Sequence, residues 1–133
     1  MSAENVEIAK RALDAFNRRD VDAFMEIATS DFELFPAMAG AVDGSSVRGR
    51  EGIEMLFGEI HDTWEEQLVI ADESRDLGDR VLVLGRIVGR GRASGIPVET
   101  PEATITDFRD GKMARVRTYL DHGEALRAAG LPE

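Results

Sequence analysis

Two hydrophobic rhythms divide this chain, and they divide it once. Up to Trp64 the apolar residues recur mostly at helical spacing; from Glu65 they alternate as in strands almost to the end. Glu4 to Arg18 carries Val6, Ala9, Leu13 and Phe16 on one helical face. Arg19-Asp20 breaks that helix, and Asp20 is placed to N-cap a second, short one bearing Phe24, Met25, Ile27 and Ala28. A short strand, Phe32 to Phe35, ends at Pro36. Residues 36–49, rich in Gly, Ala and Ser, read as a loop. Arg50 to Trp64 reads as a third helix with Ile53, Leu56, Phe57, Ile60 and Trp64 as its buried stripe.

The second half reads as a meander. Leu68 to Asp72, Val81 to Ala93, Val98 to Phe108 and Met113 to Leu120 are strands. Ser94-Gly95 and Asp110-Gly111 are hairpin turns, and Ala125 to Leu131 closes with a helical turn. Segregated helices and a meandering sheet make an α+β fold: three N-terminal helices on a curved, mixed or antiparallel sheet. The length, 133 residues, suits one domain spanning 1–133.

Period-two alternation sorts the strand faces. Val81, Val83, Gly85 and Ile87 share a face, as do Glu102, Thr104 and Thr106, and Val116 and Thr118. Taken as the inside, these small residues leave room for a cavity. The opposite face carries Arg86, Arg90, Arg92, Arg115 and Arg117, expected as a solvated or dimer-facing lattice paired with Asp107 and Asp121.

Composition removes several function classes. Acidic residues outnumber basic ones 26 to 16, so the chain repels phosphate backbones and anionic membranes. No stretch approaches the roughly 18 apolar residues of a spanning helix, and the N-terminus does not read as a signal peptide. The chain has no cysteine, which fits a cytoplasmic location and removes thiolate chemistry. No cofactor motif is found. Gly89 to Gly95 resembles a glycine-rich loop, but no helix follows it. His61 and His122 lie far apart, and Ser45 and Ser46 lack a nucleophile elbow.

Four stretches carry a family resemblance: Ala15-Phe16-Asn17-Arg18-Arg19-Asp20, Gly49-Arg50-Glu51-Gly52-Ile53, Phe108-Arg109-Asp110-Gly111-Lys112, and Val116 to Asp121 followed by Glu124 to Leu131. In order and spacing the chain resembles SnoaL-like proteins of the nuclear transport factor 2-like superfamily, over nearly its whole length. The resemblance implies a cone-shaped fold with a small-molecule pocket. Two family chemistries lack their residues here. The positions matching the base and oxyanion donors of ketosteroid isomerases are Phe35 (or Pro36), Ala12 and Thr106. Those matching the Asp-Arg-Asp set of limonene-epoxide hydrolases are Gly85, Ile87 and Thr118.

Three carboxylates remain as candidate acid/base groups. Glu33 is expected to share Phe35's face inside the cone, and Glu102 the inward face of its strand; together they would form a pair with raised pKa values. Asp121 matches the late Asp of SnoaL-like cyclases, although alternation puts it on the outer face. Phe16, Phe35, Met38, Phe57, Trp64, Thr104 and Thr118 are the expected ligand-binding lining, with Met38 as a lid residue. Three functions fit: a cofactor-free isomerase, cyclase, dehydratase or hydrolase acting on a small apolar molecule; a non-catalytic binding module; or a homodimeric scaffold with a filled cone.

Overall fold

A computed structural model describes residues 2–36 and 46–132. Met38, the expected lid residue, lies outside them.

The first helix, α1 (Ser2–Arg18), turns Asn5, Ala9, Ala12 and Ala15 inward, with Ile8, Leu13 and Phe16 partly covered beside them. Alanines along that seam let the helix lie close to the sheet. Its end is bolted to a strand. The Asn17 amide exchanges two hydrogen bonds with the backbone of Val69, both 2.9 Å. Arg19, at φ +56°, donates to the carbonyls of Phe16 and Gln67. Asp20 caps α2 (Val21–Glu26), accepting from the Ala23 amide at 3.0 Å.

Strand β1 (Ala28–Phe35) follows, then β2 (Val47–Arg48) and α3 (Gly49–Thr63). Strands β3 (Trp64–Asp76), β4 (Arg80–Gly91), β5 (Pro97–Arg109) and β6 (Lys112–Tyr119) form the meander, and α4 (His122–Ala128) ends it. The sheet order is β2-β1-β6-β5-β4-β3, antiparallel throughout except where β1 runs parallel to β6. The β5–β6 turn carries positive φ at both Asp110 and Gly111, the conformation a two-residue hairpin needs.

Bulges between Trp64 and Glu66, Ala71 and Glu73, and Asp107 and Phe108 bend the sheet around the helices. Two glycines permit the bend. A Cβ on Gly85 would stand 1.9 Å from the Ile70 carbonyl oxygen, and one on Gly89 would stand 2.4 Å from that of Glu66. Only bare backbone lets β3 approach β4 so closely.

The core has two parts. Within the curve, Phe32, Leu34, Ile53, Leu56, Phe57, Met113 and Val116 pack under the helices. Phe57 meets Phe16 and Phe24 edge to face, at centroid distances of 5.4 and 6.3 Å. On the outer face, α4 covers Leu82, Leu84, Ala103 and Ile105 with Ala125, Leu126 and Ala129. The outer face is therefore not the uniform arginine lattice expected: part of it is a second hydrophobic core. Arg86 reaches Asp72 and Glu99, while Arg92 donates to the carbonyls of His61 and Trp64 at the end of α3.

Candidate functional site

Between the helices and the inner face lies a cavity of about 140 Å³. Its walls follow strand alternation. β4 contributes Val83, Gly85 and Ile87, β5 contributes Glu102, Thr104 and Thr106, and β6 contributes Val116 and Thr118. The helical wall is Ala9, Ala12, Leu13 and Phe16 from α1 with Leu56 and Ile60 from α3, and Trp64 and Gln67 stand where α3 passes into β3. The lining is chiefly apolar, with a polar stripe along β5. Thr104 pairs across the ladder with Thr118, and Glu102 precedes it by two residues on the same face.

Glu102 is the group that stands out chemically. It is 9% exposed, and among the described residues no hydrogen bond or ion pair engages its carboxyl group. Burial pushes its pKa up to about 7, because ionising there forfeits hydration that nothing replaces. The rung holding it is Gly85↔Glu102. His122 grips that rung from the outer face: its Nε2 lies 2.8 Å from the Gly85 carbonyl oxygen and 3.1 Å from that of Glu102. Both partners are acceptors, so Nε2 carries the proton and donates. The first residue of α4 thus ties that helix to the strand pair presenting Glu102. Nothing in the sequence signals this contact, because a histidine at a helix start reads as a surface residue.

The other expected site residues divide between the two faces. Phe16, Trp64, Thr104 and Thr118 line the cavity. Phe57 does not; it stands behind Phe16 and Phe24 as their aromatic support. The face reading of β1 is reversed. Phe32 and Leu34 point inward, and Glu33 and Phe35 point outward. Glu33 is paired: the Ser46 hydroxyl donates to it at 2.7 Å, with Arg48 at 3.1 Å and Arg115 at 3.7 Å. The Ser46 hydrogen bond and the two guanidinium groups hold its carboxyl below the usual range, opposite to the shift expected. Phe35 lies under the Arg115 guanidinium, 5.9 Å from ring centroid to carbon. The expected Glu33–Glu102 pair is therefore split by the sheet. The second carboxylate on the cavity wall is Glu59 of α3, an exposed residue that helical periodicity assigns to solvent. Asp121 caps α4, accepting from the Glu124 amide at 3.0 Å, and is exposed.

Among the described residues, no three His, Asp or Glu side chains converge as a metal site requires, and no helix is long and apolar enough to cross a membrane.

Residues 9–116 match the SnoaL-like domain profile. This chain belongs to the SnoaL-like family. Solved structures similar to this SnoaL-like protein share its architecture. A nuclear transport factor 2-like protein of unknown function from Burkholderia pseudomallei is 19% identical with a TM-score of 0.78, over 93% of this chain and 95% of its own. A candidate SnoaL-like polyketide cyclase from a Jannaschia species is 22% identical with a TM-score of 0.76, over 99% and 95%. TerC, co-crystallised with polyporic acid, is 21% identical with a TM-score of 0.77, over 96% and 98%. At these identities the likeness shows the fold, a nuclear transport factor 2-like cone. A comparison with curated proteins finds no match.

Proposed function

We propose that the cone of this SnoaL-like protein holds a small, largely apolar molecule and that Glu102 is its acid/base group. The observation that carries this reading is a buried carboxyl group with no partner among the described residues, inside an apolar cavity. A carboxyl titrating near neutrality is an effective proton donor and acceptor at the same pH, and needs no cofactor for either role. Thr104 and Thr118 can orient a substrate oxygen beside it. The reaction class is proton transfer within isomerisation, cyclisation, dehydration or hydrolysis. Proteins of this fold that are named as a polyketide cyclase or were crystallised with polyporic acid support a small-molecule role for such a cone.

A second reading, a carrier or sensor that returns its ligand unchanged, is favoured by one feature. Among the described residues, Glu102 has no second buried ionisable group beside it in the lining, and Glu59 is exposed. Trp64, the chain's one tryptophan, reports on both readings because it lines the cavity. Ligands that change its emission are incubated with the wild type and with Glu102→Gln, and the products are analysed. Turnover lost in the variant with binding retained identifies an enzyme. Binding without turnover in either protein identifies a carrier, and no change in Trp64 emission with any ligand removes the pocket reading.

The chain is read as one domain over 1–133, acting in the cytoplasm as a homodimer joined through the outer sheet face, where Leu68 is exposed. Sedimentation equilibrium of the wild type and Leu68→Glu checks the dimer.

A further inference from the structure

The reading of the cone as a ligand cavity leaves the class of ligand open, and the charge of its lining narrows it. Among the described residues, the ionisable ones on the wall are Glu59 and Glu102, with no Lys, Arg or His. A ligand carboxylate or phosphate would therefore meet like charge with no compensating cation among the described lining residues, in surroundings where charge is poorly screened. A neutral ligand would leave the ionised form of Glu102 unpaired, and an unpaired buried charge is costly. An ammonium group answers the carboxylate directly. Trp64 on the same wall places an aromatic ring beside the ligand space, which favours a cation. Size is limiting as well: about 140 Å³ is close to the roughly 150 Å³ of an apolar protein cavity that holds one benzene.

We infer that the cavity takes a small apolar amine, about one ring in size, bound as its ammonium ion against the Glu102 carboxylate. The inference rests on the reading of the cone as a ligand site. It makes Glu102 an anchor whose charge selects the ligand, whether or not a proton transfer follows.

Among the described residues, few titratable groups share the cavity wall with Glu102. From α3 there is Glu59; from α1, β4 and β6 the wall supplies no titratable side chain; from behind the sheet, His122 donates to the Glu102 carbonyl. Binding an ammonium ion requires the ionised carboxylate, which is the minority form below neutrality. Affinity for a permanently charged amine therefore rises about tenfold from about pH 6 to about pH 8. At the lower pH, binding expels about one proton per amine.

The probes are benzylamine, benzyl alcohol and benzoate: one ring with a cationic, a neutral and an anionic substituent. Binding is followed by Trp64 emission and by calorimetry in two buffers of different ionisation enthalpy, on the wild type and on Glu102→Gln. Folding of the variant is checked by circular dichroism. The inference expects benzylamine to bind best, benzoate not at all, the about tenfold rise with pH, and proton release. In Glu102→Gln, which keeps His122, both the rise and the proton release vanish. Benzyl alcohol binding as tightly as benzylamine at the higher pH, or benzylamine binding unaltered in the variant, overturns the amine assignment while leaving the cavity reading intact. Failure of all three probes to bind overturns both.

Discussion

Replacing Glu102 by Gln removes the charge and keeps the shape, and the consequence for stability is calculable. Folding raises this carboxyl from 4.5 to about 7. The sign follows from proton binding. The unfolded chain gives up this proton first, so the folded state loses stability as pH rises from the ordinary value, and the loss is complete above the raised one. Between about pH 5 and about pH 8 the difference in proton affinity amounts to about 2.5 kcal/mol, an upper figure because the cavity opens to water at its mouth. Glu102→Gln has no such loss. Every other titrating group is common to both proteins and cancels in the comparison. The two proteins should therefore have similar melting temperatures at the lower pH, and the variant should melt higher by up to about 10 °C at the upper pH. Thermal melts by circular dichroism at the two pH values give the double difference. Parallel behaviour, with the gap between the proteins unchanged by pH, would refute the burial argument, because it would mean the carboxyl is hydrated or paired in the folded protein.

Three further outcomes test the surrounding structure. Gly85→Ala places a methyl group against the Ile70 carbonyl oxygen and should cost about 3 kcal/mol or more in urea unfolding, because the obstacle is backbone. Asp121→Ala should cost about 1 kcal/mol through loss of the α4 cap, whereas Asp121→Asn, which can still cap, should cost much less; an equal loss of any turnover in both variants would instead return Asp121 to the acid/base candidates. Glu33→Gln should destabilise by under about 1 kcal/mol at neutral pH and not at all in strong acid, since a carboxyl with a lowered pKa contributes only while ionised, and cavity binding should not change.

The long strands were the legible part of the fold. In β6 and the later part of β4, small or apolar residues alternate with arginines, and in β5 Glu102, Thr104 and Thr106 alternate with Ala103 and Ile105, so the inward set containing Val83, Glu102, Thr104 and Thr118 could be read directly. Strand β1 offered no such contrast, because Phe32 and Leu34 compete with Glu33 and Phe35. The choice is made by partners distant in sequence: Arg48 and Arg115 stand opposite Glu33 and take its charge on the outer face. Strand β3 extends well beyond Leu68–Asp72 at both ends, and its paired region includes Glu66 and Glu73, which disguise it. It lies at the sheet edge, where charged residues discourage pairing with other chains. Pro101 within β5 is a related case. β6 pairs with β5 only from Ala103 onward, so the missing proline amide leaves no ladder partner unsatisfied on that side. The α4 helix was legible as a helix, but its docking on Leu82, Leu84 and Ile105 was not, because those residues alternate with an inward set that is also apolar.

The central claim, that an unpartnered carboxyl group sits inside the cone, is tested most directly by carbon-13 NMR titration of the glutamate side-chain carboxyls in the wild type and in Glu102→Gln. One resonance should titrate with a midpoint of about 7 and be missing from the variant. If instead every glutamate carboxyl in the wild type titrates in the ordinary range, Glu102 is solvated or paired, and both its acid/base role and its role as a charged anchor fall.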